Sequence, residues 1–119
     1  MPLRMTEIVI DWAGHDAVIE FWAAAMGYER RDVNDQYTAL VPPGPAIGRP
    51  VLLFQKVAEP KIVKNRVHLD LRAEVMADEV ERLLGLGATF VAEQSLGELR
   101  WTVMADPEGN ELCVSGDNA

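Results

Sequence analysis

In the segment RVHLDLR, residues 66–72, an imidazole, a carboxylate and a guanidinium follow one another at every second position, His68, Asp70 and Arg72. On an extended chain such residues share one face, and Val67, Leu69 and Leu71 take the other. The segment TEIVIDW, residues 6–12, repeats the arrangement, with Glu7, Val9 and Asp11 against Ile8, Ile10 and Trp12. Polar groups on the inner face of a sheet are costly unless paired, hydrated or bound to something. His68 is therefore read either as a histidine hydrogen-bonded to Asp70 or Glu7 or as part of a site. Glu7 is an acid on an otherwise apolar strand, explained either by exposure near the N-terminus or by a ligand or acid–base role. The chain has two histidines and one cysteine. One cysteine excludes an intramolecular disulfide and a zinc site built on several cysteines. Cys113 itself is either a small buried apolar residue or a thiolate ligand or nucleophile.

The elements that must position these residues come in two rounds. Val18, Phe21, Trp22, Ala25 and Met26 fall on the apolar stripe of a helix, with Asp16 in its first turn and Gly27 as its left-handed stop. Strands are expected at 28–33, 36–41 and 51–57, the last following the Pro- and Gly-rich loop 41–50. That loop is either a lid or a stiff connection, and the polar stretch 58–65 joins two halves. The second half has the strand 66–72, then a helix with Met76, Val80, Leu83 and Leu84 in register, closed by Gly87. Strands at 89–94, 99–104 and 111–115 complete it, with Asp106-Pro107-Glu108-Gly109 as a turn. Strand, helix, three strands thus occurs twice. If the apolar faces go under the helices, the polar faces line a hollow shared by two joined sheets.

The 119 residues are 49% hydrophobic and 25% charged, enough for one domain with a real core. A net charge of −8 argues against nucleic acid and against an anionic membrane surface. The opening MPLRMTEIVIDW lacks the apolar region of a signal peptide, and no apolar run approaches a bilayer span. A cytoplasmic protein with a small-molecule role is expected.

Four segments, IDWAGHDA, VIEFWAAAMGYE, RVHLDLRA and MADPEGNELCV, together with the doubled topology, resemble the vicinal oxygen chelate superfamily. That superfamily includes glyoxalase I, the bleomycin-resistance proteins and the extradiol dioxygenases. The resemblance implies an α+β fold: one domain over 1–119 of two βαβββ modules, about 1–57 and 66–119, forming a cupped, partly closed mixed sheet with helices outside. It implies a metal between the modules, bound by one residue from the first and last strand of each. His68 falls on the family's histidine, and Glu7 falls on the first module's ligand position in one register, Val9 in another. The last strand departs: the family's carboxylate position holds Cys113, with Glu111 two residues nearer on the same face. In the strand 51–57 the corresponding residue is Leu53 or Gln55 rather than glutamate.

A set of Glu7, His68 and Glu111, with or without Gln55, would suit Mn²⁺, Co²⁺, Ni²⁺ or Zn²⁺. A two-His-one-carboxylate iron site is excluded because His15 lies at the mouth of the first helix, leaving one usable histidine. Glu111 is alternatively a solvated strand end after a turn. Trp101 is either core or a stacking wall, and Arg72 and Arg100 are either anion holders or solvated charges. With two of four ligand positions substituted, the expectation is a protein that binds a small molecule between its modules without the full metal site. Asp11, Gln55, Asp70, Trp101 and Cys113 would contact that ligand. The alternative is a metal-dependent lyase or isomerase of glyoxalase I type, in which the metal polarises vicinal oxygens and Glu7 or Glu111 moves a proton. A homodimer is implied in either case.

Overall fold

Alternating β-branched and polar residues make Glu7–Trp12 the first strand, β1, and they set its register. In the computed structural model, which describes residues 2–45 and 48–117, β1 runs parallel to β4 (Val51–Lys56), placing Ile8 beside Leu52 and Ile10 beside Phe54. A parallel pair needs a crossover, and the helix α1 (Asp16–Met26) with the hairpin β2 (Glu29–Asp32) and β3 (Tyr37–Val41) supplies it. The sheet order is β1-β4-β3-β2, antiparallel apart from its first pair. α1 packs on β2 and β3 and buries Val18, Ile19, Phe21 and Trp22, the last two meeting edge to face at 5.4 Å. Ile19 widens the expected stripe, while Ala25 and Met26 are only half-buried. At the helix end Gly27 has φ 67°, a left-handed conformation that lets the Tyr28 N–H return to the Ala23 carbonyl at 2.9 Å.

The second round repeats the topology. β5 (Leu69–Ala73), α2 (Met76–Gly85), β6 (Thr89–Leu96), β7 (Leu99–Ala105) and β8 (Glu111–Gly116) form a sheet of order β5-β8-β7-β6, with β5 parallel to β8. α2 packs on β5, β7 and β8, and Met104, Leu112 and Val114 form the buried centre. Of the four apolar residues expected under α2, Leu83 is buried but Leu84 is 40% exposed, so the helix presents a narrower stripe. The turn between β7 and β8 is organised by Asp106. Its carboxylate accepts from the N–H groups of Glu108 and Asn110 and from Asn110 Nδ2, and its carbonyl accepts from the Gly109 N–H.

The expected strand 66–72 starts late. Its ladder begins at Leu69 beside Leu112, and the chain bends at Arg66 and Val67. Val67 is 76% exposed instead of lying under the helix, because the backbone just upstream is tied sideways: the Asn65 side chain donates to Asn110 and its N–H to Glu111. His68 therefore sits on the lead-in to β5. The chain divides into two compact units, residues 1–60 and 61–119, and the division falls within the connection 58–65. Residues 46 and 47 of the loop 41–50, read as a lid or a stiff connection, lie outside the described residues.

Candidate functional site

The strongest constellation belongs to the second unit. Parallel pairing of β5 and β8 sets Asp70 directly beside Cys113, and β7 places Val103 on Cys113's other side. Residues Asp70, Cys113 and Val103 share the sheet face opposite Leu69, Leu112 and Met104. Over this open face lies a hollow of about 640 Å³, bordered by His68, Asp70, Trp101, Val103, Glu111 and Cys113 among others.

At its floor the imidazole, carboxylate and thiol converge. His68 Nε2 stands 3.1 Å from Asp70 Oδ1, and the ligand atoms of His68, Asp70 and Cys113 all lie within 4.8 Å of one another. Cys113 is 7% exposed. Burial, the Asp70 charge and the hydrogen bond to Asp70 push its thiol pKa up, against a smaller opposing pull from Lys64.

Glu111 borders the same hollow but is spoken for. Lys61 Nζ reaches Glu111 Oε1 at 2.9 Å, with both side chains largely buried, and the Asn65 N–H donates to Oε2 at 3.3 Å. Burial alone would raise the pKa of this carboxyl; the Lys61 bond, backbone N–H groups and the Lys61 charge outweigh it and hold the group below the usual glutamate range. Neither Lys61 nor Asn65 carries a signal in the sequence, where the stretch 58–65 reads only as a polar connection. No spacing rule links them to a residue 46 or more positions away.

In the first unit, Glu7 and Asp11 are exposed on β1, and Asp11 lies across the ladder from half-buried Gln55. Both belong to that unit's sheet. Trp101 is half-buried at the hollow. Arg72 and Arg100 face acids, Asp117 at 3.9 Å and Glu93 at 3.5 Å, and both side chains are well exposed. Such surface pairs are weak. Among the described residues, His68, Asp70 and Cys113 form one three-donor group that includes neither Glu7 nor Glu111.

The family profile described as a glyoxalase-like domain matches residues 7–115, and the chain belongs to that family. No curated protein matches the sequence. Among solved structures, a glyoxalase-related enzyme from Fulvimarina pelagi aligns at TM-score 0.70 and 14% identity, covering 96% of this chain and 88% of that one. A glutamate-to-glutamine mutant of the fosfomycin resistance protein FosX from Listeria monocytogenes, complexed with Mn(II) and 1S,2S-dihydroxypropylphosphonic acid, aligns at TM-score 0.77 and 13% identity, covering 97% and 90%. A lactoylglutathione lyase from Agrobacterium tumefaciens aligns at TM-score 0.68 and 16% identity, covering 98% and 96%. At these identities the likeness is one of fold: the chain has the α+β architecture of the glyoxalase, bleomycin-resistance and dioxygenase group. Among the described residues no helix is long and apolar enough to cross a membrane.

Proposed function

We propose that the protein binds a small molecule in the hollow over the sheet of its second unit. The observation that carries this reading is the hollow itself, about 640 Å³, within the roughly 300–1,000 Å³ of pockets that take drug-sized molecules. Trp101 and Val103 supply an apolar wall, Leu96 and Leu99 remain exposed at its rim, and His68 and Asp70 supply a few polar groups. A ligand with a flat or apolar body and a small polar end suits such a lining. The test is titration with the fluorescent dye anilinonaphthalene sulfonate in chelator-treated buffer. Trp101→Ala should weaken dye binding by about tenfold, roughly 1.4 kcal/mol of lost stacking and area. Binding that ignores this substitution would sink the reading.

A second reading, a metal-dependent lyase or isomerase with Glu7 or Glu111 moving a proton, is favoured by the convergence of three donors at one point. The donors expected from the family's pattern fit poorly within this unit, since the Glu111 carboxylate is engaged by Lys61 and Asn65. His68, Asp70 and Cys113 would instead hold the cation. When bound, such a cation supplies polarisation of substrate oxygens. Glu111, whose carboxyl Lys61 holds below the usual glutamate range, is a poor proton donor and a weak base there. Metal content of protein expressed with trace Mn, Co, Ni and Zn, compared with His68→Ala, tests this reading: near one equivalent, lost in the variant, supports it.

A further inference from the structure

The donor set that meets in the second unit differs in kind from an all-oxygen-and-nitrogen set, because one of its three members is sulfur. We infer that His68, Asp70 and Cys113 form a thiolate-containing site for a zinc-class divalent cation, selecting Zn²⁺ or Co²⁺ over Mn²⁺. It rests on the second reading above, whose three donors it takes, and on the β5–β8 register that holds Asp70 beside Cys113; the small-molecule reading needs no metal.

Geometry carries the argument first. Ligands on a tetrahedral ion with Zn–N and Zn–O bonds of about 2.0–2.1 Å are about 3.3 Å apart, and His68 Nε2 and Asp70 Oδ1 already stand at 3.1 Å. Asp70 and Cys113 are cross-strand partners in the β5–β8 ladder, so the sulfur is delivered by the fold and not by a loop. The third donor, His68, sits on the lead-in to β5, one residue before the ladder with β8 begins. All three ligand atoms fall within 4.8 Å, so closing on an ion requires small side-chain movements. All three donors border the hollow, which would leave room beside a bound ion for water or a ligand oxygen.

Chemistry then sets the metal. A thiolate prefers soft and borderline ions, whereas Mn²⁺ favours carboxylate, carbonyl and water and stands lowest in the first-row affinity order. Binding replaces the S–H bond of Cys113 with an S–metal bond, and the proton leaves to solvent. The metal bound with the FosX neighbour is Mn(II), so a preference for zinc separates this chain from that relative.

The test uses the full-length protein, freed of metal by chelation, and the metals alone as probes. Added Co²⁺ should produce a sulfur-to-cobalt charge-transfer absorption in the near ultraviolet. One equivalent of Zn²⁺ should abolish it, and the same amount of Mn²⁺ should not. Cys113→Ser should remove the band with the circular dichroism spectrum unchanged. Asp70→Asn, at a site 80% exposed and so little needed for folding, should weaken cobalt binding by more than about tenfold, the lower bound for losing even an outer-shell partner. Absence of a sulfur band in folded protein, or displacement by Mn²⁺ as readily as by Zn²⁺, overturns the inference. Dye binding in chelator, measured separately, reports on the small-molecule reading whatever the metals do.

Discussion

Two side chains on the same face of β8, Glu111 and Cys113, have opposite electrostatic fates although both border one hollow. Lys61 and the Asn65 N–H overcome the burial of Glu111 and hold its pKa down. Such a group adds stability that is present above the unfolded-state pKa and is lost as pH falls through the folded one. Urea unfolding should therefore show the wild type losing stability in the acid range below the ordinary glutamate pKa. Glu111→Gln should flatten that part of the profile, and Lys61→Met should cost about 1–3 kcal/mol at neutral pH by stripping a partner from a part-buried carboxylate. Cys113 is the reverse case, its pKa raised by burial and Asp70. Alkylation by iodoacetamide, followed by mass spectrometry, should be slow at neutral pH and should quicken several-fold in Asp70→Asn, where the opposing charge is gone; equal rates would contradict the assigned cause. At this scale the sequence was informative about His68 and Asp70, whose alternation put them on one face and made their hydrogen bond an option. It was silent on the Lys61 clamp, since a lysine in a polar connection carries no mark of the carboxylate it will meet.

The strands and helices were largely legible because each carries its own period: two for Glu7–Trp12 and Leu69–Ala73, 3.6 for α1. What the period could not convey was where pairing stops. Val67 continues the alternation perfectly yet is exposed, because Asn65 and Asn110 pull the chain off the ladder before it. Leu84 fits the α2 stripe and is 40% exposed, while Leu83 is buried and Met76 and Val80 are half-buried. The docking of α2 is governed by Gly116 on β8: a Cβ there would meet the backbone nitrogen of Met76 at 3.0 Å and its Cβ at 3.3 Å. Gly116→Ala should cost about 1–3 kcal/mol in urea unfolding, the range for forcing extra atoms into packed structure. The same substitution at Gly85, which has open space around it, should be neutral or stabilising in a helix. The β7–β8 turn depends on Asp106, and Asp106→Ala should cost about 2–4 kcal/mol by orphaning three donors. Asp106→Asn, which keeps Oδ1 as an acceptor, should recover more than half.

At the scale of the whole chain, the doubling of strand, helix and three strands makes each unit close its own sheet, and the segment between them takes part in neither ladder. Within 58–66 the backbone is held at two points in the second unit: Lys61, through its ion pair with Glu111, and Asn65, through Glu111 and Asn110. Lys64 and Arg66 flank the second point and are exposed. Proteases need several residues of chain to leave their native path, which strands inside a sheet resist and unpaired segments allow. Limited trypsin digestion should therefore make its first internal cut after Lys64 or Arg66. Arg49, on the other loop, lies over the Tyr28 ring at 5.5 Å and precedes Pro50, a bond trypsin does not accept. Glu111→Gln removes the partner of Lys61 and weakens the hold on Asn65, so it should hasten the cut several-fold without moving it. A first cut after Arg100, in the β6–β7 hairpin, would show that this hairpin opens more readily than the connection, and intact-mass measurement of the two fragments decides between them.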